Sequence, residues 1–305
     1  MMKTRIVKVN RQRPEPDKIR RAAAVLRTGG IVAFPTETVY GLAADAFNPK
    51  AVQKVFVAKG RPRDNPLIVH IAKVNDLSLL AKKPSKKAAR LIKRFWPGPL
   101  TVILARKKRL PDIVSAGSPT VAVRVPANKI ARALIRAAGT PLVGPSANLS
   151  GRPSPTRPRD VAADLGGRIS LILDGGRTEL GIESTVIDMT VSPPVLLRYG
   201  AITPEEIEAL IGKIRLPGAA AGPELSVPLK SPGLKYRHYA PLAEMIIVEG
   251  PQEAVQKKYK NLQKKPFKKE KKLVSSYFIK IGGMKQKGLS ALRARLPRQL
   301  RSNCS

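Results

Sequence analysis

Apolar residues recur along this chain in two alternating rhythms. Short continuous runs bounded by Gly, Pro or Asp read as buried strands, and three-to-four-residue spacing reads as amphipathic helices. Strand-like runs fall at residues 5–9, 31–34, 67–71, 100–105, 121–125, 142–143, 169–173, 184–189 and 195–198. Helical spacing covers 17–27, 49–58, 84–95, 129–138, 160–165 and 204–211. Local chemistry supports several boundaries. Asn48 precedes Pro49, an N-cap before a residue suited to the first helical position, and Thr203-Pro204-Glu205-Glu206 has the form of a capping box. Strands and helices alternate as far as residue 212, which predicts an α/β sheet covered by helices.

Beyond that point the rhythm stops. Residues 213–235 are rich in Gly, Pro and Ala and read as a linker. The stretch SPGLKYRHYAP at 231–241 is unusually aromatic and basic for a linker. After Glu249 lysine runs alternate with short apolar islands. The predicted organisation is a domain over 1–212, a linker or lid over 213–241, and a degenerate or truncated C-terminal domain over 242–305.

Charge sharpens this picture. The chain of 305 residues has a formal net charge of +36, and residues 251–305 alone hold 16 Lys and Arg against 2 Asp and Glu. Such a balance predicts attraction to phosphates or nucleic acid. With Cys304 as the sole cysteine, no internal disulfide or thiolate cluster is available. The opening MMKTRIVKVN lacks a signal-peptide core, no apolar run approaches a membrane span, and a cytoplasmic location is expected.

The most informative stretch runs from Gly29 to Ile71. A strand there is followed by the hydroxyls of Thr36 and Thr38, a helix, the cations Lys59, Arg61 and Arg63, Asn65-Pro66, and His70 inside an apolar run. Small hydroxyls near clustered cations suit a polar metabolite beside a polyphosphate. Arg124 lies within the apolar 121–125 pattern, so it either pairs with a carboxylate or faces a site. Trp96 reads as a core anchor at a helix end in preference to a base-stacking platform. No G-x-x-x-x-G-K-[ST] loop, G-x-G-x-x-G or G-x-S-x-G elbow occurs, and two histidines are too few for a histidine-metal enzyme.

PTETVYGL at 35–42, Lys59-x-Arg61-Pro62 with Asn65-Pro66-Leu67, and Pro145-Ser146-Ala147-Asn148 together resemble the threonylcarbamoyl-adenylate synthases of the YrdC-like fold, in particular the long members with a linker and second domain. The similarity runs from about residue 6 to 241. It implies a twisted mixed sheet flanked by helices. It also implies a nucleotidyltransferase that joins L-threonine, bicarbonate and ATP into threonylcarbamoyl-AMP and pyrophosphate, the first step of threonylcarbamoyladenosine formation in tRNA.

Carried over residue by residue, the resemblance implies Lys59, Arg61, Ser146 and Asn148 as the catalytic set. Thr38, His70, Arg124, Gly144 and Ser184 would bind L-threonine. ATP would be held by Arg61, Asn65, Thr120, Ser146, Ser154, Arg198 and Tyr236, with Tyr236 in a closing lid. Mg²⁺ would accompany ATP and be held largely by substrate and water, with no dedicated metal site. The product would pass to a threonylcarbamoyl transferase complex, and a direct tRNA contact stays open. Relatives commonly carry Arg-Pro-Gly where this chain has Arg198-Tyr199-Gly200. An alternative reading of the same basic cavity is an RNA-binding protein without catalysis, which leaves the hydroxyl-rich residues unexplained.

Overall fold

The computed structural model describes residues 3–216 together with Gln256. The chain divides into two compact units, Met1–Ala240 and Pro241–Ser305, and every element below belongs to the first. The sequence readings of the tail, of Tyr236 and of all but the first residues of the linker lie outside the described residues.

In chain order the elements are β1 (Arg5–Lys8), α1 (Pro16–Arg27), β2 (Val32–Pro35), β3 (Tyr40–Asp45), α2 (Pro49–Lys59), β4 (Ile68–His70), a 3-10 turn (Val74–Leu79), α3 (Lys86–Phe95), β5 (Leu100–Ala105), α4 (Asp112–Ser115), β6 (Thr120–Arg124), α5 (Lys129–Ala138), β7 (Leu142–Val143), α6 (Pro158–Leu165), β8 (Leu171–Asp174), β9 (Thr185–Asp188), β10 (Val195–Arg198) and α7 (Pro204–Ile211). Side chains cap helices where the sequence offered them. Asn48, Ser85, Asn128 and Thr203 each accept a hydrogen bond from a first-turn amide.

The strands form one mixed sheet in the order β1-β8-β2-β3-β7-β4-β6-β5-β9-β10. Residue alternation divides its faces. On one face Ala33, Leu42, Val69, Val102 and Val123 pack with the buried stripes of α2, α3, α6 and α7. On the other, Val32, Phe34, Ala43 and Leu171 pack under α1 and α5. That second cover stops short. Toward β4, β6, β5 and β9 the buried apolar residues of the same face are Ile68, Ile103, Ala122 and Val186, a cluster to which no helix contributes a residue among the described residues.

Trp96 is buried in the first core and its Nε1 donates to the Leu100 carbonyl at 2.7 Å, an anchor as expected. Two readings are corrected. Tyr40–Asp45 is a strand, antiparallel to β2 and to β7, although its Gly and Ala content lacks the β-branched signal of a strand. Lys59 is the last residue of α2 instead of lying past it, because the left-handed Gly60 (φ 59°) ends the helix one residue later.

Candidate functional site

Strand alternation brings Ile68 with His70, and Ala122 with Arg124, onto the face that no helix covers among the described residues, and parallel register sets His70 beside Arg124. A cleft open to solvent lies there. It is lined by Thr38, Arg61, His70, Arg124, Gly144, Ser146, Asn148, Ser154, Ser184 and Arg198 from the expected set. Arg152 and Glu183 line it as well.

Arg124 answers both alternatives posed for it: it pairs with a carboxylate and it faces the cavity. Its Nη2 lies 2.7 Å from Glu37 Oε1, and both side chains are only 4% exposed. Its Nη1 donates to Thr38 Oγ1 at 3.0 Å and its Nε to the Gly98 carbonyl at 3.1 Å. Burial alone would raise the Glu37 pKa, but the charge and hydrogen bond of Arg124 outweigh it and hold the carboxyl below its usual value. Thr38 is fixed by the same chain of bonds. Thr36 Oγ1 donates to the Val39 carbonyl at 2.6 Å, so the Thr38 hydroxyl donates to Thr36 Oγ1 at 2.8 Å while accepting from Arg124.

His70 lies edge-on to Phe34 with ring centroids 5.8 Å apart. Burial pushes its pKa down to about 3, aided by the charge of Arg124, so the ring is neutral. Nε2 then donates to the Gly144 carbonyl at 3.2 Å, which leaves Nδ1 as an acceptor with no partner among the described residues.

A second bonded group is centred on Arg198. Its Nε donates to the Ser184 carbonyl at 2.9 Å, its Nη2 to Ser184 Oγ at 2.9 Å, and its Nη1 pairs with Glu183 Oε2. Ser154 Oγ donates to the other oxygen of Glu183 at 2.7 Å. Arg61, at the start of the turn after α2, is held by the carbonyls of Asn65 at 3.2 Å and Pro66 at 3.0 Å.

Lys59 does not line the cavity. It lies behind the 146–148 turn, 2% exposed, and donates to the carbonyls of Ser146 and, at 2.7 Å, Asn148. Burial, with the nearby charge of Arg61, lowers its pKa to about 7. Strand β3 steadies the other side of that turn, since Leu42 N donates to the Pro145 carbonyl and Ala147 N to the Tyr40 carbonyl, each at 2.8 Å. Asn65 and Thr120 are also buried away from the lining: Asn65 Nδ2 has no partner among the described residues, and Thr120 Oγ1 bonds Ser118 Oγ at 2.8 Å. Among the described residues no three His, Cys, Asp or Glu side chains gather to hold a metal, and no helix is long and apolar enough to cross a membrane.

Glu37, Arg152 and Glu183 were not singled out from the sequence. Glu37 carried a signal: a carboxylate inside a buried-looking PTETVYGL is the partner that an arginine in an apolar strand requires. Glu183 and Arg152 stand in loops where nothing local marks them.

The Sua5/YciO/YrdC family model, described as telomere recombination, matches residues 24–200, and the model of the threonylcarbamoyl-AMP synthase C-terminal domain matches 202–297. The chain is 53% identical over 264 residues to a threonylcarbamoyl-AMP synthase of Pyrococcus abyssi, covering 87% of this chain and 77% of that protein. It is 53% identical over 240 residues to a synthase of the same name from Bacillus subtilis, covering 78% and 69%. The fold resembles a crystal structure of P. abyssi Sua5 complexed with L-threonine, with a TM-score of 0.80 and 51% identity over 85% of this chain and 76% of that one.

Proposed function

This chain belongs to the Sua5/YciO/YrdC family, and from that premise we propose that it is a threonylcarbamoyl-AMP synthase: a nucleotidyltransferase that joins L-threonine, bicarbonate and ATP and releases threonylcarbamoyl-AMP, pyrophosphate and water. One observation carries the reading from geometry to chemistry. A single cavity is lined by two bonded groups of different character, one around Arg124 suited to an amino acid and one around Arg198 with Arg61 suited to a polyphosphate.

Arg124 lines the cavity beside Thr38 and brings the positive charge that receives the threonine carboxylate. Neutral His70 offers Nδ1 to a donor of threonine, its hydroxyl or amine. A site that hydrogen-bonds a hydroxyl rejects analogues lacking it strongly. Gly144 and Ser184 complete that side.

Arg61, Arg198, Ser146, Asn148 and Ser154 receive the triphosphate. The N-carboxylated threonine attacks the α-phosphorus, and pyrophosphate leaves with the P–O bond electrons. Catalysis of this kind rests on position and charge, with no protein nucleophile. Lys59 acts through the turn it braces. Mg²⁺ entering with the triphosphate would supply charge neutralisation and would take its ligands mainly from substrate oxygens and water, since Glu183 is the one carboxylate lining the cavity among the described residues.

The product goes on to a threonylcarbamoyl transferase complex. We assign contact with tRNA to the exposed side of α3 and the turn before it, where Lys82, Lys83, Lys86, Lys87, Arg90, Lys93 and Arg94 face solvent and no acid interrupts them. An RNA-binding role without catalysis is not favoured, because it gives the Arg124, His70 and Thr38 arrangement nothing to do.

The test is mass detection of threonylcarbamoyl-AMP after incubation with the three substrates. The wild type should form it, and a Lys59→Ala plus Arg61→Ala variant should lose at least about a hundredfold in rate. Equal product from both proteins would refute the assigned phosphate side.

A further inference from the structure

Glu183 is the odd member of the cavity. Among the described residues it is the sole acid lining it, amid Arg61, Arg124, Arg152 and Arg198. Both of its oxygens are engaged: Oε1 accepts from Ser154 Oγ at 2.7 Å, and Oε2 pairs with Arg198 Nη1. Residues 183 and 184 together occupy all three nitrogens of Arg198. Gly200 permits this closeness. A Cβ there would fall 2.3 Å from Thr185 N and 2.6 Å from the Glu183 carbonyl oxygen, so the backbone after Arg198 lies directly against this segment.

A carboxylate that takes one guanidinium N–H and one serine hydroxyl uses the donors that two phosphate oxygens would use. A mere strut for Arg198 could have been neutral, since the Ser184 carbonyl and hydroxyl already orient the guanidinium. The extra feature of Glu183 is its negative charge, in a place meant for a more negative ligand.

We propose that Glu183 is a built-in phosphate surrogate: it holds Arg198 and Ser154 in the nucleotide-free cavity and competes for them with the triphosphate and with the pyrophosphate product. The inference rests on the synthase reading and adds to it a determinant of product release. Like charge in a partly enclosed site weakens polyphosphate binding, and a product held less tightly leaves sooner.

The test uses inorganic pyrophosphate as probe and L-threonine as reference ligand, titrated calorimetrically into the full chain and into Glu183→Gln and Glu183→Asp. Glutamine keeps the shape and an acceptor oxygen but removes the charge. Glu183→Gln should bind pyrophosphate roughly three- to tenfold tighter, with threonine affinity within about twofold of wild type. Product release in a pre-steady-state assay should slow by a similar factor.

Aspartate keeps the charge but withdraws it by one methylene, so a smaller gain is expected. If the glutamine variant fails to fold, the aspartate variant decides by sign: a competitor withdrawn gives tighter binding, a strut withdrawn gives weaker binding. Unchanged or weaker pyrophosphate binding in a folded variant overturns the proposal, as does a loss confined to threonine. A wild type that binds neither ATP nor pyrophosphate sinks this inference and the synthase reading together. A wild type that makes product beside an unaltered Glu183→Gln sinks this inference alone.

Discussion

Gly144 and His70 share a space that admits one side chain: a Cβ on Gly144 would lie 2.4 Å from His70 Cδ2 and 2.8 Å from its Nε2. The Gly144 carbonyl is also the acceptor for that Nε2. Bareness at residue 144 therefore sets both the place and the tautomer of the ring. Gly144→Ala should cost about 1–3 kcal/mol of stability and raise the threonine KM at least about tenfold. Calorimetric melts and initial rates check it. In Gly144→Ala/His70→Ala the stability loss should be smaller than the sum of the single losses.

Lys59 makes the fold sensitive to pH. Its pKa is lowered from 10.5 to about 7 by burial, so between those values the unfolded chain keeps a proton that the folded chain has released. This group's stabilisation is complete above pH 10.5 and is lost as pH falls toward 7. Relative to Lys59→Met, the wild type should therefore gain up to about 1.4 kcal/mol per pH unit over that window. Denaturant titrations of both proteins at pH 7.5 to about 9.5 measure the slope; a flat difference would refute it.

The Glu37–Arg124 ion pair is buried, and breaking it leaves a charge without its counter-ion. Glu37→Gln should lose about 3–5 kcal/mol of stability. Because the Glu37 pKa is lowered, the pair's stabilisation is present above the usual carboxylate value of 4.5 and is lost as pH falls through the lower folded value. Acid unfolding of the wild type against Glu37→Gln should show the two stabilities converging at low pH.

Replacing Lys86, Lys87, Arg90 and Lys93 by Gln removes cations from the exposed side of α3, away from the cavity lining. Threonylcarbamoyl-AMP formation should stay within about twofold of wild type, while tRNA affinity falls and its salt dependence becomes shallower by about 0.9 for each phosphate no longer neutralised. Filter binding over a salt series reads the slope. An unchanged slope would remove α3 from the RNA-binding surface.

Much of the fold was legible because its signals are local. Asn48, Ser85 and Thr203 cap helices with their own side chains a turn away, and apolar spacing marked α3 and α5 without reference to anything distant. The YGLAAD strand escaped notice for the same reason: its strand character comes from neighbours β2 and β7, not from its own residues.

What the chain's order of residues determined by itself was the set of elements, the cationic and hydroxyl-bearing motifs and the family they resemble, since periodicity, capping and short motifs act over a few residues. Only the tertiary structure decided that Arg124 finds Glu37, that Glu183 ties Arg198 to Ser154, and that Lys59 braces the 146–148 turn from behind. Those pairings depend on strand order and register, which set residues distant in sequence a few ångströms apart, and a buried charge takes whichever partner that geometry supplies.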